Sequence, residues 1–287
     1  MSPRSASEAR WISRPLRERD LGRALAFLRR SPLMNIYLLS RLLEDGLTGD
    51  PMIEVRRERA TTAIALPGPN VAVAVDFDHP DTIEGSMEQV AEVILGRAVR
   101  VRAIIAPVEA VDHLWPRLAP HFEGPMVIRL WQPVYALSAE ADRFPDLEFM
   151  RASRLSDLDQ LVPVCAAMHV EEVGIDPLRR DASAYRNRIE ELVRRNRSFI
   201  GVIERRIVFK CEVSASTPEA VQLMGVWTRP GERRRGFARK GLEEVCGHFL
   251  RQGKTVTLFV NDFNHAAIRL YESMEFRRIG ANRAIIW

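Results

Sequence analysis

The chain has 287 residues, 46% apolar and 28% charged, which suits one large or two medium globular domains and excludes a disordered chain. Of its 42 basic residues only Lys210, Lys240 and Lys254 are lysines, and the net charge is a mild +4. That skew points to genome base composition rather than to a nucleic-acid surface, which needs clustered charge.

No run approaches the roughly 20 apolar residues that cross a bilayer. The opening segment mixes Arg4, Arg10, Arg14, Arg17 and Arg19 with Glu8, Glu18 and Asp20, with no apolar signal region. A cytoplasmic protein without a membrane partner is expected. Cys165, Cys211 and Cys246 match neither a disulfide framework nor a zinc spacing, so each reads as a small core residue and no metal is expected.

Strand and helix patterns alternate through both halves, so the expected class is α/β (α+β), with helices flanking the sheet and a second α/β domain at the N-terminus. Asp20 to Arg30 and Leu33 to Leu43 read as amphipathic helices, and Met52–Val55, Thr61–Ala65 and Val71–Val75 as strands. Met87–Ile94 follows as a helix, Val101–Ile105 as a strand, Val108–Leu118 as a helix and Met126–Leu137 as strand. Residues 139–146 read as a linker between an N-terminal domain, 1–138, and a C-terminal domain, 147–287.

The C-terminal domain opens with a strand near Glu148–Arg151 and a helix capped by Ser156, in which Leu158, Leu161, Val162 and Cys165 recur at helical spacing and Pro163 introduces a bend. Ala182–Arg195 is a helix, and Phe199–Ile203 with Ile207–Val213 a hairpin. Ala220–Thr228 is a strand, Gly236–Leu250 a long helix, Thr255–Val260 a buried strand, His265–Met274 a short helix and Phe276–Trp287 the closing strand. Both halves place helix pairs ahead of mixed strands, as two distant copies of one unit would.

One segment carries chemistry. A strand ends at Thr228, Pro230 and Gly231 break it, and a run of arginines leads to a helix starting at Gly236, within a span from Arg229 to Lys240 that holds six basic residues. A helix N-terminus exposes unpaired N–H groups and a partial positive charge, which suits a phosphate. Gly236 and Ala238 leave room for the ligand to approach, and arginines add charge-assisted contacts. A diphosphate at the helix start with a further phosphate near the rim matches coenzyme A. A solvated basic turn is the plain alternative.

This loop, Arg233-Arg234-Arg235-Gly236-Phe237-Ala238, resembles motif A of the GNAT N-acetyltransferase superfamily, Gln/Arg-x-x-Gly-x-Gly/Ala. Asn264-His-Ala-Ala267-Ile-Arg-Leu-Tyr271-Glu-Ser-Met-Glu-Phe276 resembles its motif B, with Glu275 where the family has glycine. Asn264, Ala267 and Tyr271 share one helix face. Together the motifs cover roughly residues 147–287 in the family's order. The resemblance implies a mixed, mostly antiparallel central sheet, acetyl-CoA as cosubstrate and a primary amine, small-molecule or protein, as acceptor.

It further implies that Val226, Trp227 and Thr228 meet pantetheine, and that Arg233 to Arg239 (Arg233, Arg234, Arg235, Gly236, Phe237, Ala238, Arg239) hold the pyrophosphate, with Asn264 and Tyr271 completing the cofactor site. Tyr271 is placed near the thioester sulfur as acid, and the Val226 N–H at the oxyanion. Glu212 is the candidate base. Strand alternation groups Lys210, Glu212 and Ser214 on one polar face, turned to the site or to solvent. His169, Glu171 and Glu172 end the domain's first helix, where the family lines its acceptor site, so Glu171 and Glu172 are candidates for binding a cationic amine.

In the N-terminal half, Arg19-Asp-Leu-Gly22-Arg-Ala24 copies the phosphate-loop pattern inside a helix with no strand before it, and is read as chance. Ser31–Ser40 resembles a segment of a bacterial group that fuses an uncharacterised domain to a GNAT domain. That domain would be a degenerate GNAT half serving as scaffold or covering the acceptor pocket. Three rivals to an acetyltransferase follow: the same fold with another acyl-CoA donor, a non-catalytic acyl-CoA sensor, and nucleic-acid binding, which the loop's lack of stacking aromatics disfavours.

Overall fold

The computed structural model describes residues 10–48, 51–97 and 99–287, so Arg4 and Glu8 lie outside the described residues. Contacts divide the chain into two compact units. The first contains the described residues up to Pro133 together with Gly280–Trp287; the second is Val134–Ile279.

The first half of the chain runs β1 (Trp11–Pro15), α1 (Leu21–Leu28), α2 (Ile36–Asp45), β2 (Ile53–Arg57), β3 (Ala60–Leu66), β4 (Asn70–Val75), α3 (Ile83–Leu95), β5 (Ala103–Pro107), α4 (Val108–Leu118) and β6 (Val127–Leu137). The second half repeats that order: β7 (Met150–Ala152), α5 (Leu158–Val173), α6 (Pro177–Arg194), β8 (Ser198–Ile203), β9 (Arg206–Ser216), β10 (Ala220–Thr228), α7 (Phe237–Leu250), β11 (Thr255–Phe259), α8 (His265–Ser273) and β12 (Arg277–Ile286). The expected class holds: each unit is a mixed, mostly antiparallel sheet flanked by helices, with β4–β5 and β10–β11 its parallel pairs.

The two copies also share a small device at the entry to their first helix. Asp20 accepts both arms of the Arg14 guanidinium at 2.8 Å and the Arg17 N–H at 3.1 Å. Asp157 does the same with Arg151, at 2.7 and 2.8 Å, and with the Arg154 N–H at 2.7 Å. Asp157 therefore occupies the position expected for Ser156, which lies within a single 3-10 turn. A carboxylate held by a bidentate arginine accepts more strongly than a hydroxyl.

The units meet the chain differently from the expected 139–146 division. The last residues of β6 pair with β11, Val134 opposite Phe259 through Leu137 opposite Val256. The end of β12 pairs with β5, Asn282 opposite Pro107 through Ile286 opposite Ala103. Each half's final strand thus completes the sheet of the other unit. Residues 139–146 fall inside the second unit, where Arg143 pairs with Glu275 at 2.6 Å.

In the second unit the core lies on both sides of the sheet. Phe209, Cys211, Val213 and Leu223 pack with Leu242, Val245 and Cys246 of α7. Leu158, Leu161, Val162 and Cys165 of α5 pack with Ile189 and Val193 of α6 and with Trp227. The helix expected from Ala182 starts where Asp181 interrupts α6: its carboxylate accepts the Ala184 N–H at 2.9 Å, a side-chain cap. Glu244, buried on α7, accepts three successive backbone N–H groups, those of Glu148, Phe149 and Met150, at 2.9, 2.9 and 2.7 Å. That single carboxylate fastens the start of β7.

Candidate active site

Strands β10 and β11 run parallel and paired from Ala220 opposite Thr255 to Leu223 opposite Leu258, where the pairing ends. On its other side β10 pairs with β9 but slips register between Met224 and Trp227. Gly225 and Val226 therefore stand outside the register on both sides. Gly225 has φ +58°, a backbone state that any side chain would strain. β10 loses its partners here: an extra residue cannot be matched by β9, and the pairing with β11 has already ended.

Beyond Thr228 the basic loop turns through Arg234, at φ +62°, and Gly236, at φ +82°, into α7. The first backbone hydrogen bond of this turn runs from the Lys240 N–H to the Gly236 carbonyl, 3.0 Å, so the amides of Phe237, Ala238 and Arg239 precede it. No atom lies within 4 Å of where a Gly236 Cβ would stand, which leaves an open cradle. A pyrophosphate fits this donor set: N–H groups at a helix start, flanked by left-handed residues that concentrate them.

The arginines divide their work. Arg233 is taken up by Glu171 of α5, at 2.6 and 2.7 Å, and by the Thr228 carbonyl at 3.1 Å. Arg235 pairs with Glu232 and lies over the Phe237 ring at 5.2 Å. Arg239 bridges Glu243 at 3.1 Å and the Ser273 hydroxyl at 2.5 Å, tying α7 to α8. Arg234 is exposed. Phe237 stacks on Phe149 at 5.6 Å, over whose ring Lys240 sits at the same distance.

Glu171 is thereby committed. Besides Arg233 it accepts the Trp227 indole N–H at 2.9 Å. Burial alone would raise its carboxyl, but Arg233 and Trp227 outweigh that and hold it below the usual carboxylate range. Trp227 is buried, so its side chain braces α5 against β10 while its backbone follows the unmatched Gly225–Val226 segment. This Trp227–Glu171–Arg233 chain was invisible to sequence reasoning, since its members are 56 and 62 positions apart. The one signal was an excess of arginines over the phosphates they would serve.

Tyr271, on α8, is 4% exposed and rests beside the rings of Tyr135 at 6.4 Å and Phe276 at 5.8 Å. Burial pushes its phenol well above the ordinary value, with the charge of Glu172 adding to the effect, so it stays a proton donor. Asn264 caps α8 by accepting the Ala267 N–H at 3.2 Å, which accounts for this asparagine through local structure. His169 is half-buried beside Tyr185, and burial lowers its imidazole.

Glu212 differs from the expected polar face. Lys210 is wholly buried and Glu212 is 4% exposed, the two joined at 2.6 Å beneath the bulge. Glu212 also accepts the Cys165 thiol at 3.3 Å, and Lys210 donates to the Gly225 carbonyl at 3.0 Å. Ser214 turns instead to the Gln222 carbonyl at 3.2 Å. All three cysteines are free and buried, and burial pushes the Cys165 and Cys211 thiols up to about 12, which leaves them inert.

A cavity of about 590 Å³ belongs to the first unit, lined by Arg23, Phe27, Arg30, Arg57, Asp76 and His79 among others. Its arginines are already paired: Arg23 with Glu54 at 2.7 Å, Arg30 with Asp76 at 2.9 Å and Arg57 with Asp81 at 3.0 Å.

Residues 211–285 match the family model described as FR47-like protein, and residues 51–161 match a domain of unknown function, DUF4081. No curated protein matches the chain. A Drosophila protein of known structure superposes with a TM-score of 0.66 at 14% identity, covering 96% of this chain and 98% of its own. An acetyltransferase from the GNAT family of Colwellia psychrerythraea gives 0.59 at 12%, covering 96% and 99%. A tandem GNAT protein from the clavulanic acid biosynthesis pathway gives 0.55 at 12%, covering 96% and 98%. At these identities the likeness is one of fold: this chain has the GNAT acetyltransferase fold.

Proposed function

We propose that the second unit transfers an acetyl group from acetyl-CoA to a primary amine by direct attack, with both substrates bound together. The observation that carries this reading is the unmatched Gly225–Val226 segment of β10, which leads through the basic loop to the amides of Phe237, Ala238 and Arg239, unbonded among the described residues. An unmatched strand segment and an anion cradle at the following helix, in one continuous stretch, suit a long thioester with a pyrophosphate at its far end.

In this reading the amides of Phe237 to Arg239 and the Arg234 side chain hold the pyrophosphate, and the β10 backbone from Val226 to Thr228 guides pantetheine. Acetyl-CoA supplies the activated acyl group. The Val226 N–H stabilises the negative charge that develops on the thioester oxygen. As the amine nitrogen bonds to the acyl carbon and the carbon–sulfur bond breaks, the Tyr271 hydroxyl protonates the departing sulfur. Glu212 is engaged by Lys210 and Glu171 by Arg233. Glu172, exposed at the end of α5, attracts the cationic acceptor and receives one of its protons, and the second proton, lost as the amide forms, restores the Tyr271 hydroxyl.

The test is a thermal-shift titration with acetyl-CoA, free CoA and longer acyl-CoAs, followed by thiol release over an amine panel. Ligand at a hundred times its Kd adds about 2.7 kcal/mol, a shift of several degrees. Arg234→Glu/Gly236→Glu should abolish the shift while the protein still melts cooperatively. Stabilisation without thiol release from any amine would favour the sensor reading; no stabilisation at all would remove the cofactor site.

A further inference from the structure

The geometry points to the buried Lys210–Glu212 pair as the device that aims the oxyanion-stabilising peptide group of β10. It rests on the reading above and assigns these residues a positioning role rather than a chemical one.

Lys210 sits in the middle of β9 with no exposed surface, and Glu212 two residues on is nearly as buried. An ion pair in an interior is hard to justify by stability alone, since apolar residues of similar volume serve as well or better. This pair has a third member. The Lys210 ammonium donates to Glu212 at 2.6 Å and to the Gly225 carbonyl at 3.0 Å, while the Cys165 thiol of α5 closes the shell of Glu212 at 3.3 Å.

The Gly225 carbonyl and the Val226 N–H belong to one planar trans peptide, whose two polar ends point apart. Fixing the oxygen on Lys210 therefore directs the N–H away from it. Among the described residues no strand register sets that direction, because Gly225 and Val226 stand outside the pairing with both neighbouring strands. The ammonium also draws charge through the amide and makes its N–H a better donor. The tie requires glycine: a Cβ at position 225 would stand 2.9 Å from the Lys210 nitrogen and 3.1 Å from a Glu212 oxygen.

The groups that act on Lys210 are Glu212 and Cys211 of its own strand, Cys165 of α5 and Tyr185 of α6. Glu212 is the one carboxylate among them. Burial works against the charge on Lys210, and Glu212 more than restores it.

Isotope-edited infrared spectroscopy of bound [1-13C]acetyl-CoA reads the aim of the Val226 N–H without knowledge of the acceptor. In the wild-type protein the thioester carbonyl stretch should move to lower frequency than in free acetyl-CoA, equally across pH 6 to 9. Lys210→Met/Glu212→Met should still bind acetyl-CoA, lose most of the displacement, and turn over ~10- to 100-fold more slowly with KM for acetyl-CoA little changed. Glu212→Gln, which keeps the shape but removes the counter-charge, should make the displacement fade as pH rises and the buried ammonium loses its proton. If the double variant fails to melt cooperatively, this second arm decides.

A wild-type displacement that survives unchanged in the variants overturns the positioning role and leaves the acetyltransferase reading standing. Binding with no displacement in the wild type overturns the positioning role as well. Failure of the wild type to bind acetyl-CoA removes the acetyltransferase reading, and the positioning role falls with it.

Discussion

The two halves of the chain build the same order of elements, yet they equip one structural position in opposite ways. β10 bulges at Gly225, and the chain after it carries arginines and enters α7 through a left-handed glycine. After β4 it reads Asp76-Phe77-Asp78-His79-Pro80-Asp81-Thr82 and enters α3 through a 3-10 turn. Asp76 is buried there, bound by Arg30 at 2.9 Å and by His79 at 3.0 Å. The pairing of β3 with β4 runs from Leu66 opposite Ala72 to Ala63 opposite Val75 without a slip among the described residues. The fold is thus indifferent to the chemistry: the sheet tolerates either loop, and the proposed polyphosphate site lies where the loop is basic and the strand bulged.

The comparison can be broken from either side, and the largest expected effect is structural. Glu244→Ala leaves three backbone N–H groups without their acceptor, a loss of about 3 kcal/mol that denaturant unfolding would register. In the first unit α3 makes a lighter buried polar contact, Ser86 to Thr62 at 2.8 Å, so Ser86→Ala should cost about 1 kcal/mol. Equal costs would mean that the tie at β7 adds nothing beyond an ordinary hydrogen bond.

Tyr271→Phe separates chemistry from packing. No hydrogen bond engages the Tyr271 hydroxyl among the described residues, so its removal should leave thermal stability nearly unchanged. Turnover should fall by ~10- to 100-fold. Unchanged turnover would make Tyr271 a packing residue only.

Both units should share one response to acid. Asp76 and Glu54 in the first, and Asp157 and Glu171 in the second, are held below the usual carboxylate range. Their contribution is present above the unfolded value near pH 4 and fades as pH falls through the folded ones. In the second unit burial also depresses His169 and His248, so stability there should begin to decline below about pH 6.5, where these groups charge on unfolding. A pH series of thermal melts checks the order. The smallest effect is expected of Asp78→Ala, which removes an exposed partner of Arg30 and should leave acetyl-CoA binding unaltered.

Much of this was legible in the chain itself. The alternation of Ala220–Thr228 and the period of Val108–Leu118 correspond residue for residue to β10 and α4, because each is bounded by residues that end its pattern. The duplication was present in Arg14-x-x-Arg17-x-x-Asp20-Leu21 and Arg151-x-x-Arg154-x-x-Asp157-Leu158, though its meaning depends on seeing both aspartates close the same turn. The exchange of β6 and β12 was not legible, since alternation marks a strand without naming its partner. Nor was the burial of Lys210 and Glu212. Alternation put them on one face, turned to the site or to solvent, whereas Cys165 of α5 covers Glu212 and Lys210 donates to the Gly225 carbonyl at the bulge.

The most direct measurement is the stoichiometry of acetyl-CoA binding by isothermal titration calorimetry, for the wild type and for Arg234→Glu/Gly236→Glu. One site per chain, lost in the variant, is the expected result. Two sites per chain, or a site that survives the substitutions, would contradict the assignment of cofactor binding to the second unit alone.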